Sequence, residues 1–102
     1  MKILGIGKNY VNHKDEISTY KNGKQIIFSK PESSLVFNNE DVEFPSITEN
    51  LVYEVELVAR IGKEGKDIAE TAAASFIDAL AIGIDYTAKD VLNLYRETKH
   101  PW

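Results

Sequence analysis

Two glutamates, Glu54 and Glu56, lie two positions apart in the segment LVYEVELVARIGK, which otherwise has the composition of a β-strand. Alternate residues of a strand share a face, so both carboxylates are predicted to lie on one face, about 7 Å apart. Carboxylates this close repel each other unless water or a cation intervenes. The spacing therefore allows two interpretations: a face exposed to water, as in many antiparallel sheets, or a face that binds a cation.

A hard divalent cation such as Mg²⁺ or Mn²⁺ suits this pair, because these ions prefer oxygen ligands and accept water and substrate for the rest. Asp85 ends the apolar run ALAIGID, where a scaffold often presents a functional group, although a turn-capping Asp is the alternative. Glu54, Glu56 and Asp85 would together form an all-oxygen ligand set.

The other face of the same segment is predicted to pack into the core, because it is an unbroken apolar stripe. It consists of Tyr53, Val55, Leu57, Ala59 and Ile61. Arg60 lies on the glutamate face and is predicted to be an ion-pair partner and not a catalyst.

The elements that must position these residues are mixed strands and helices. Strands are predicted in KILGIG (2–7), QIIFSK (25–30), SSLVF (33–37), DVEF (41–44), the glutamate segment and ALAIGIDY (79–86). Helices are predicted in NYVNHKDEI (9–17), in IAETAAASFIDAL (68–80) after an Asp67–Glu70 capping box, and in AKDVLNLYRE (88–97) after Thr87 and Asp90. The fold class is α+β, a mixed sheet with two to three helices in a single domain over residues 1–102.

Composition excludes several function classes. The 102 residues contain no cysteine, which rules out disulfides and thiol chemistry and is consistent with the cytoplasm. A net charge of −4 without a basic cluster argues against nucleic acid as a partner. No segment has the apolar length of a membrane span, so no membrane association is expected.

Four separated motifs resemble the fumarylacetoacetate hydrolase family: GIGKNYVNH, FSKPESSLV, YEVELVARIGKEGKDI and IGIDYTAKD, in this order from residue 2 to the end. The resemblance implies the N-terminal part of a mixed β-roll that binds Mg²⁺ or Mn²⁺. Its metal ligands would be Glu54, Glu56 and Asp85. The substrate would be a small anionic 2-oxo acid, such as an acylpyruvate or oxaloacetate.

The resemblance also implies roles for four other residues. His13 and Glu16 match a dyad that activates water in hydrolytic members, although Asp15 could face His13 instead and a lone His is often only solvated. Lys30 and Thr87 match positions near the substrate. Their alternatives are a solvated Lys at a strand end and a helix N-cap Thr.

Family domains are commonly much longer than this chain, so the resemblance implies a truncated catalytic domain. Hydrolytic C–C cleavage, decarboxylation and isomerisation all remain open. A homodimer or strand-exchanged oligomer is expected, since a partial roll exposes sheet edges. One alternative is a catalytically incomplete fragment that only binds metal or dimerises. Another is an unrelated acidic α+β binding domain.

Overall fold

The computed structural model describes residues 1–10 and 25–101 of the chain. The chain forms two compact units, Met1–Val42 and Glu43–Trp102, which are described separately. Strands and helices occur together, which confirms the α+β class; the strands form two separate antiparallel pairs. The single-domain interpretation stays a prediction.

The first unit contains an antiparallel pair, β1 (Ile3–Gly7) and β2 (Ile26–Lys30), in which Ile3 faces Lys30 and Gly7 faces Ile26. Both strands were expected from their apolar runs. The ring of Phe28 covers Gly5, where any side chain would collide with it. Glycine therefore allows the close approach of the two strands at this point.

The predicted strands SSLVF and DVEF are wrong. A short 3₁₀ helix occupies Glu32–Ser34, and no strand follows it before residue 51 in the described chain. Local bonds replace strand pairing here: the amide of Phe37 donates to Glu40 Oε2 at 3.0 Å, and Asn39 has a φ of 68°. Apolar and β-branched composition alone does not form a strand without a partner to complete its hydrogen bonds.

The second unit is built on a long antiparallel ladder of β3 (Leu51–Ile61) and β4 (Ile77–Ala88). The register runs from Leu51 opposite Ala88 to Ile61 opposite Ile77. An irregularity between Arg60 and Ile61 leaves Asp78 as the extra residue of β4. Such a bulge bends the strand and re-aims the inserted side chain, which here pairs with Arg60.

The predicted helix over residues 68–80 is wrong in most of its length. Helix α1 covers only Glu70–Ala73 and continues as a 3₁₀ turn over Ala74–Phe76. From Ile77 onward the chain pairs with β3 instead, so strand pairing overrides the helical periodicity. The Asp67 capping box is also absent, because the N-cap is Ala69 without a side-chain cap.

Helix α2 (Lys89–Glu97) follows β4 directly, as predicted for AKDVLNLYRE. Its N-cap is Ala88 without a side-chain cap, so the alternative in which Thr87 caps the helix is wrong. Thr87 lies in β4, opposite Val52.

None of the described hydrophobic side chains is buried. The stripe predicted for the core does lie on one face of the β3–β4 ladder, but Tyr53 is 69% exposed and Ile82, on the neighbouring strand, is 72% exposed. In the described part of the chain, no helix is long and apolar enough to cross a membrane.

Candidate functional site

The two faces of the β3–β4 ladder differ in chemistry, and each is named here by its members. The carboxylate face consists of Val52, Glu54, Glu56, Val58 and Arg60 on β3, with Thr87, Asp85, Gly83, Ala81 and Ala79 opposite them. The apolar face consists of Leu51, Tyr53, Val55, Leu57 and Ala59, with Ala88, Tyr86, Ile84, Ile82 and Leu80 opposite them.

The three predicted metal ligands lie on the carboxylate face. Glu54 is directly opposite Asp85, and Glu56 lies two positions along β3. Directly opposed residues of an antiparallel pair have their Cβ atoms about 4.5–5.5 Å apart, and like charges in that position destabilise the pair. Glu56 and Asp85 are half-buried, whereas Glu54 is exposed.

Gly83 is the residue opposite Glu56, and the side chain of Val58 lies close over it. A Cβ at position 83 would lie 2.8 Å from Cγ2 of Val58. Any larger residue would therefore displace the side chain of Val58 on the carboxylate face.

The donor chemistry of this face suits a hard divalent cation, since carboxylate oxygens are the ligands such ions prefer. Within residues 1–10 and 25–101, no three acidic or His side chains converge closely enough to hold a metal ion. The backbone register thus places Glu54, Glu56 and Asp85 on one face, while their carboxylates remain separated.

The other predicted site residues are distributed differently. Thr87 lies on the carboxylate face, two residues after Asp85. Lys30 is the half-buried last residue of β2, in the first unit. His13 and Glu16, with the alternative Asp15, lie outside the described residues.

Arg60 forms the ion pair that was predicted for it. Its Nε donates to Asp78 Oδ1 at 2.7 Å and its Nη2 donates to Oδ2 at 3.2 Å. The hydrogen bond from Arg60 lowers the pKa of Asp78, and both side chains are exposed. The pair lies at the bulged end of the ladder, away from Glu54.

A second cluster, which the sequence did not reveal, joins the segment before β3 to the start of α2. Thr48, which is only 5% exposed, donates its hydroxyl to Asp90 Oδ1. The amide of Glu49 donates to Asp90 Oδ2 at 3.0 Å, and the amide of Val91 donates to Oδ1 at 2.9 Å. These bonds, the Thr48 hydroxyl first, lower the pKa of Asp90.

Two further bonds complete this cluster. The amide of Asn50 donates to the Thr48 hydroxyl at 3.1 Å, and the amide of Lys89 donates to the carbonyl of Asn50 at 2.8 Å. The capping pattern had indicated Asp90 only as a neighbour of Thr87. No spacing signal connects Asp90 with Thr48, because the two residues are 42 positions apart.

Comparison with known proteins identifies relatives over nearly the whole chain. The family model described as fumarylacetoacetate (FAA) hydrolase C-terminal matches residues 2–102. The mitochondrial oxaloacetate tautomerase FAHD1 of Arabidopsis thaliana is 33% identical over 101 residues, which are 99% of this chain and 45% of that protein. The mouse FAHD1 oxaloacetate tautomerase is 32% identical, covering 98% of this chain and 45% of its own.

The fold also matches a crystal structure from Burkholderia cenocepacia, of a protein named as a candidate fumarylpyruvate hydrolase. The TM-score is 0.86 at 29% identity, over 100% of this chain and 43% of that one. The chain thus spans less than half the length of the relatives it matches.

Proposed function

Because the chain belongs to the fumarylacetoacetate hydrolase family, we propose that its carboxylate face serves the isomerisation or hydrolysis of a small 2-oxo acid. The observation that carries this proposal is the register of the ladder, which puts Glu54 opposite Asp85 with Glu56 on the same face. Like charges opposed in this way cost stability, and a bound cation would offset that cost.

Glu54, Glu56 and Asp85 are the residues that would hold Mg²⁺ or Mn²⁺. When bound, such an ion supplies Lewis acidity that stabilises negative charge on the oxygen of a 2-oxo group. The half-burial of Glu56 and Asp85 supports their assignment as the inner ligands, and Glu54 would close the set.

The substrate we propose is a small anionic 2-oxo acid such as oxaloacetate or an acylpyruvate. The proposal rests on the relatives, which are named as oxaloacetate tautomerases and as a candidate fumarylpyruvate hydrolase. Lys30 would offer a point charge to a substrate carboxylate, and the Thr87 hydroxyl would donate a hydrogen bond beside Asp85. Tautomerisation, C–C hydrolysis and decarboxylation would each use the same binding groups.

For hydrolysis, His13 would accept a proton from water as the water attacks the second carbonyl of an acylpyruvate. Glu16 would hold the imidazole in position and stabilise its protonated form. Tautomerisation needs no attacking water, so the His13→Ala variant should lose hydrolysis and keep more of the tautomerase activity.

The test is turnover by residues 1–102 with and without Mg²⁺ or Mn²⁺. Enol–keto exchange of oxaloacetate and cleavage of an acylpyruvate are followed by ultraviolet absorbance. Glu56→Gln should lower any metal-dependent rate at least about 100-fold, while Glu64→Gln, in the exposed turn after β3, is the matched control. Metal-dependent turnover that survives Glu56→Gln unchanged would contradict the proposal.

A second candidate, a metal-binding or dimerisation module without activity, is favoured by the exposure of the apolar face. Such a face needs a cover, and we propose a homodimer as the form in which this chain covers it. Mn²⁺ binding and self-association without turnover would support this candidate over the enzyme. A cytoplasmic location stays a prediction; the tautomerase relatives are named as mitochondrial.

A further inference from the structure

The side-chain pattern of β3 and β4 leaves their register open by two residues. A slip of one residue is excluded, because it would turn the apolar side chains of one strand to the carboxylate face. A slip of two residues keeps both faces: Val55 would oppose Tyr86 instead of Ile84, and Leu57 would oppose Ile84 instead of Ile82. From Tyr53 to Ala59, apolar residues would still oppose apolar residues.

The carboxylates, however, depend on the register. After a slip of two residues in that direction, Glu54 would oppose Thr87 and Glu56 would oppose Asp85, and Glu54 would lose its present partner. Whatever selects the observed register therefore also selects the arrangement of the three acidic side chains.

The bulged end of the ladder is poorly suited to select it. Asp78 is already an inserted residue there, and a bulge can absorb a change in strand length. The Arg60–Asp78 pair at this end is exposed, with side chains 71% and 45% accessible. Exposed ion pairs hold their geometry weakly.

The opposite end has the contacts that define a register. Thr48 and Asp90 lie just beyond the terminal pair, Leu51 and Ala88, and join the two strands by side chain and backbone. The Lys89 amide bonded to the Asn50 carbonyl continues the ladder by one step. Thr48 is the only buried polar residue in the described chain, so loss of its bond to Asp90 would leave its hydroxyl without this acceptor.

We propose that Thr48 and Asp90 set the register of β3 against β4 and are thereby positioning residues for Glu54 and Asp85. Glu54 is three residues after Leu51, and Asp85 is three residues before Ala88, so the carboxylates lie close to this end of the ladder. The effect of Thr48 and Asp90 on the register concerns the backbone alone. Its consequence for cation binding rests on the function proposed above.

The register can be measured by disulfide cross-linking, because the chain contains no cysteine. Val55→Cys with Ile84→Cys reports the observed register, and Val55→Cys with Tyr86→Cys reports a slip of two. Directly opposed Cα atoms lie about 4.5–5.5 Å apart, within the range a disulfide allows. Both pairs lie on the apolar face, away from the carboxylates.

Thr48→Val removes the hydroxyl while keeping the side-chain shape, and Thr48→Ser restores it. We expect Thr48→Val to lower the Ile84 cross-link at least about threefold and to raise the Tyr86 cross-link, and Thr48→Ser to keep the wild-type ratio. Thr98→Val is the matched control, since the Thr98 hydroxyl donates to the carbonyl of Leu94 and lies 2.7 Å from Nδ1 of His100, at the end of α2. An unchanged ratio in Thr48→Val would overturn the proposal.

Mn²⁺ affinity, measured by water-proton relaxation, tests the consequence for the site. Thr48→Val and Asp90→Ala should each weaken Mn²⁺ binding about tenfold or more, the range seen when supporting contacts of a metal site are removed. The double variant should bind Mn²⁺ no more weakly than the weaker-binding single variant, because both substitutions disrupt the same hydrogen-bonded cluster. Unchanged affinity in both single variants would overturn the positioning role.

The cross-linking measurement and the Mn²⁺ measurement test the register and the metal site separately. If the wild type binds no Mn²⁺, the metal site fails, while the cross-link ratio still decides whether Thr48 sets the register. If Asp90→Ala does not fold, as judged by circular dichroism, the comparison of Thr48→Val with Thr48→Ser decides both the register and the effect on Mn²⁺.

Discussion

The two faces of the β3–β4 ladder share one backbone, but each has a different unfavourable feature. The carboxylate face brings together groups that repel each other, with Glu54 directly opposite Asp85. The apolar face exposes large side chains on both strands, among them Leu80 at 64% and Ile82 at 72%. The carboxylate face therefore concentrates negative charge, and the apolar face leaves large apolar side chains exposed.

A period of two residues places two chemically different surfaces on one strand. Val55 lies between Glu54 and Glu56 in sequence, but its side chain belongs to the surface that must be covered, not to the candidate site. A substitution on the carboxylate face should thus affect metal binding and have little effect on self-association. A substitution on the apolar face should affect self-association and have little effect on metal binding.

The largest expected effect breaks the carboxylate face. Glu56→Gln combined with Asp85→Asn removes the two half-buried carboxylates while keeping their shapes. We expect Mn²⁺ binding to become undetectable by calorimetry, because neutral amides are poor substitutes for carboxylate ligands. This corresponds to an affinity lowered by more than about 1,000-fold. Val55→Thr, on the apolar face, is the control and should keep the wild-type affinity. Equal losses in both variants would mean that the faces do not act separately.

The next effect breaks the apolar face. Leu57 and Ile82 oppose each other, so Leu57→Lys with Ile82→Asp places opposite charges in register and leaves the ladder intact. Losing two aliphatic side chains that the homodimer would bury costs about 3 kcal/mol or more, which should raise the dissociation constant of the homodimer at least about 100-fold. Light scattering across a dilution series measures this.

The matched control for association is Val58→Lys with Ala81→Asp, an opposed pair on the carboxylate face. It should leave self-association unchanged. A wild-type chain that is monomeric at high concentration would show that a second copy does not cover the apolar face.

Much of this arrangement was predictable from the sequence, because period-two alternation is a local property. It predicted β3, most of β4, and the shared face of Glu54 and Glu56. It could not predict which residue of β4 faces Glu54, since two-residue slips look alike in pattern. The pairing of Thr48 with Asp90 depends on the folded chain and has no local signature.

The errors of the sequence analysis have the same origin. Phe76 and Leu80 fit a helical face, yet Leu80 belongs to β4, where it opposes Ala59. The alanines before them favour a helix, and one does form over Glu70–Ala73. Pairing with an eleven-residue strand then outweighs a weak propensity for the residues that follow.

A smaller effect, on the free energy of unfolding, should change sign when Mn²⁺ is added. Without metal, Glu54→Gln should raise the free energy of unfolding by roughly 0.2–1 kcal/mol, because it removes a like-charge pair with Asp85. With saturating Mn²⁺ the same variant should be less stable than the wild type, since stabilisation by a ligand follows its affinity. Urea denaturation with and without Mn²⁺ measures both values. A variant less stable than the wild type in both conditions would show that repulsion is not what the ion relieves.

The smallest effect concerns the charged end of the carboxylate face, where Arg60 lowers the pKa of Asp78 below its ordinary value of 3.8. A carboxyl whose pKa is lower in the folded chain stabilises the fold above its ordinary pKa, and this contribution is lost as the pH falls through the folded value. Arg60→Gln should therefore be slightly less stable than the wild type at pH 6, and the difference should shrink below the ordinary value and disappear once the pH is below the lowered pKa of Asp78. Because both side chains are exposed, the difference should also shrink in high salt. Denaturation midpoints of the two proteins from pH 6 to pH 2 measure this, with Lys63→Gln, beyond the bulge, as the control. A difference that stays constant over that range would mean that Arg60 stabilises the ladder by packing its stem and not by pairing with Asp78.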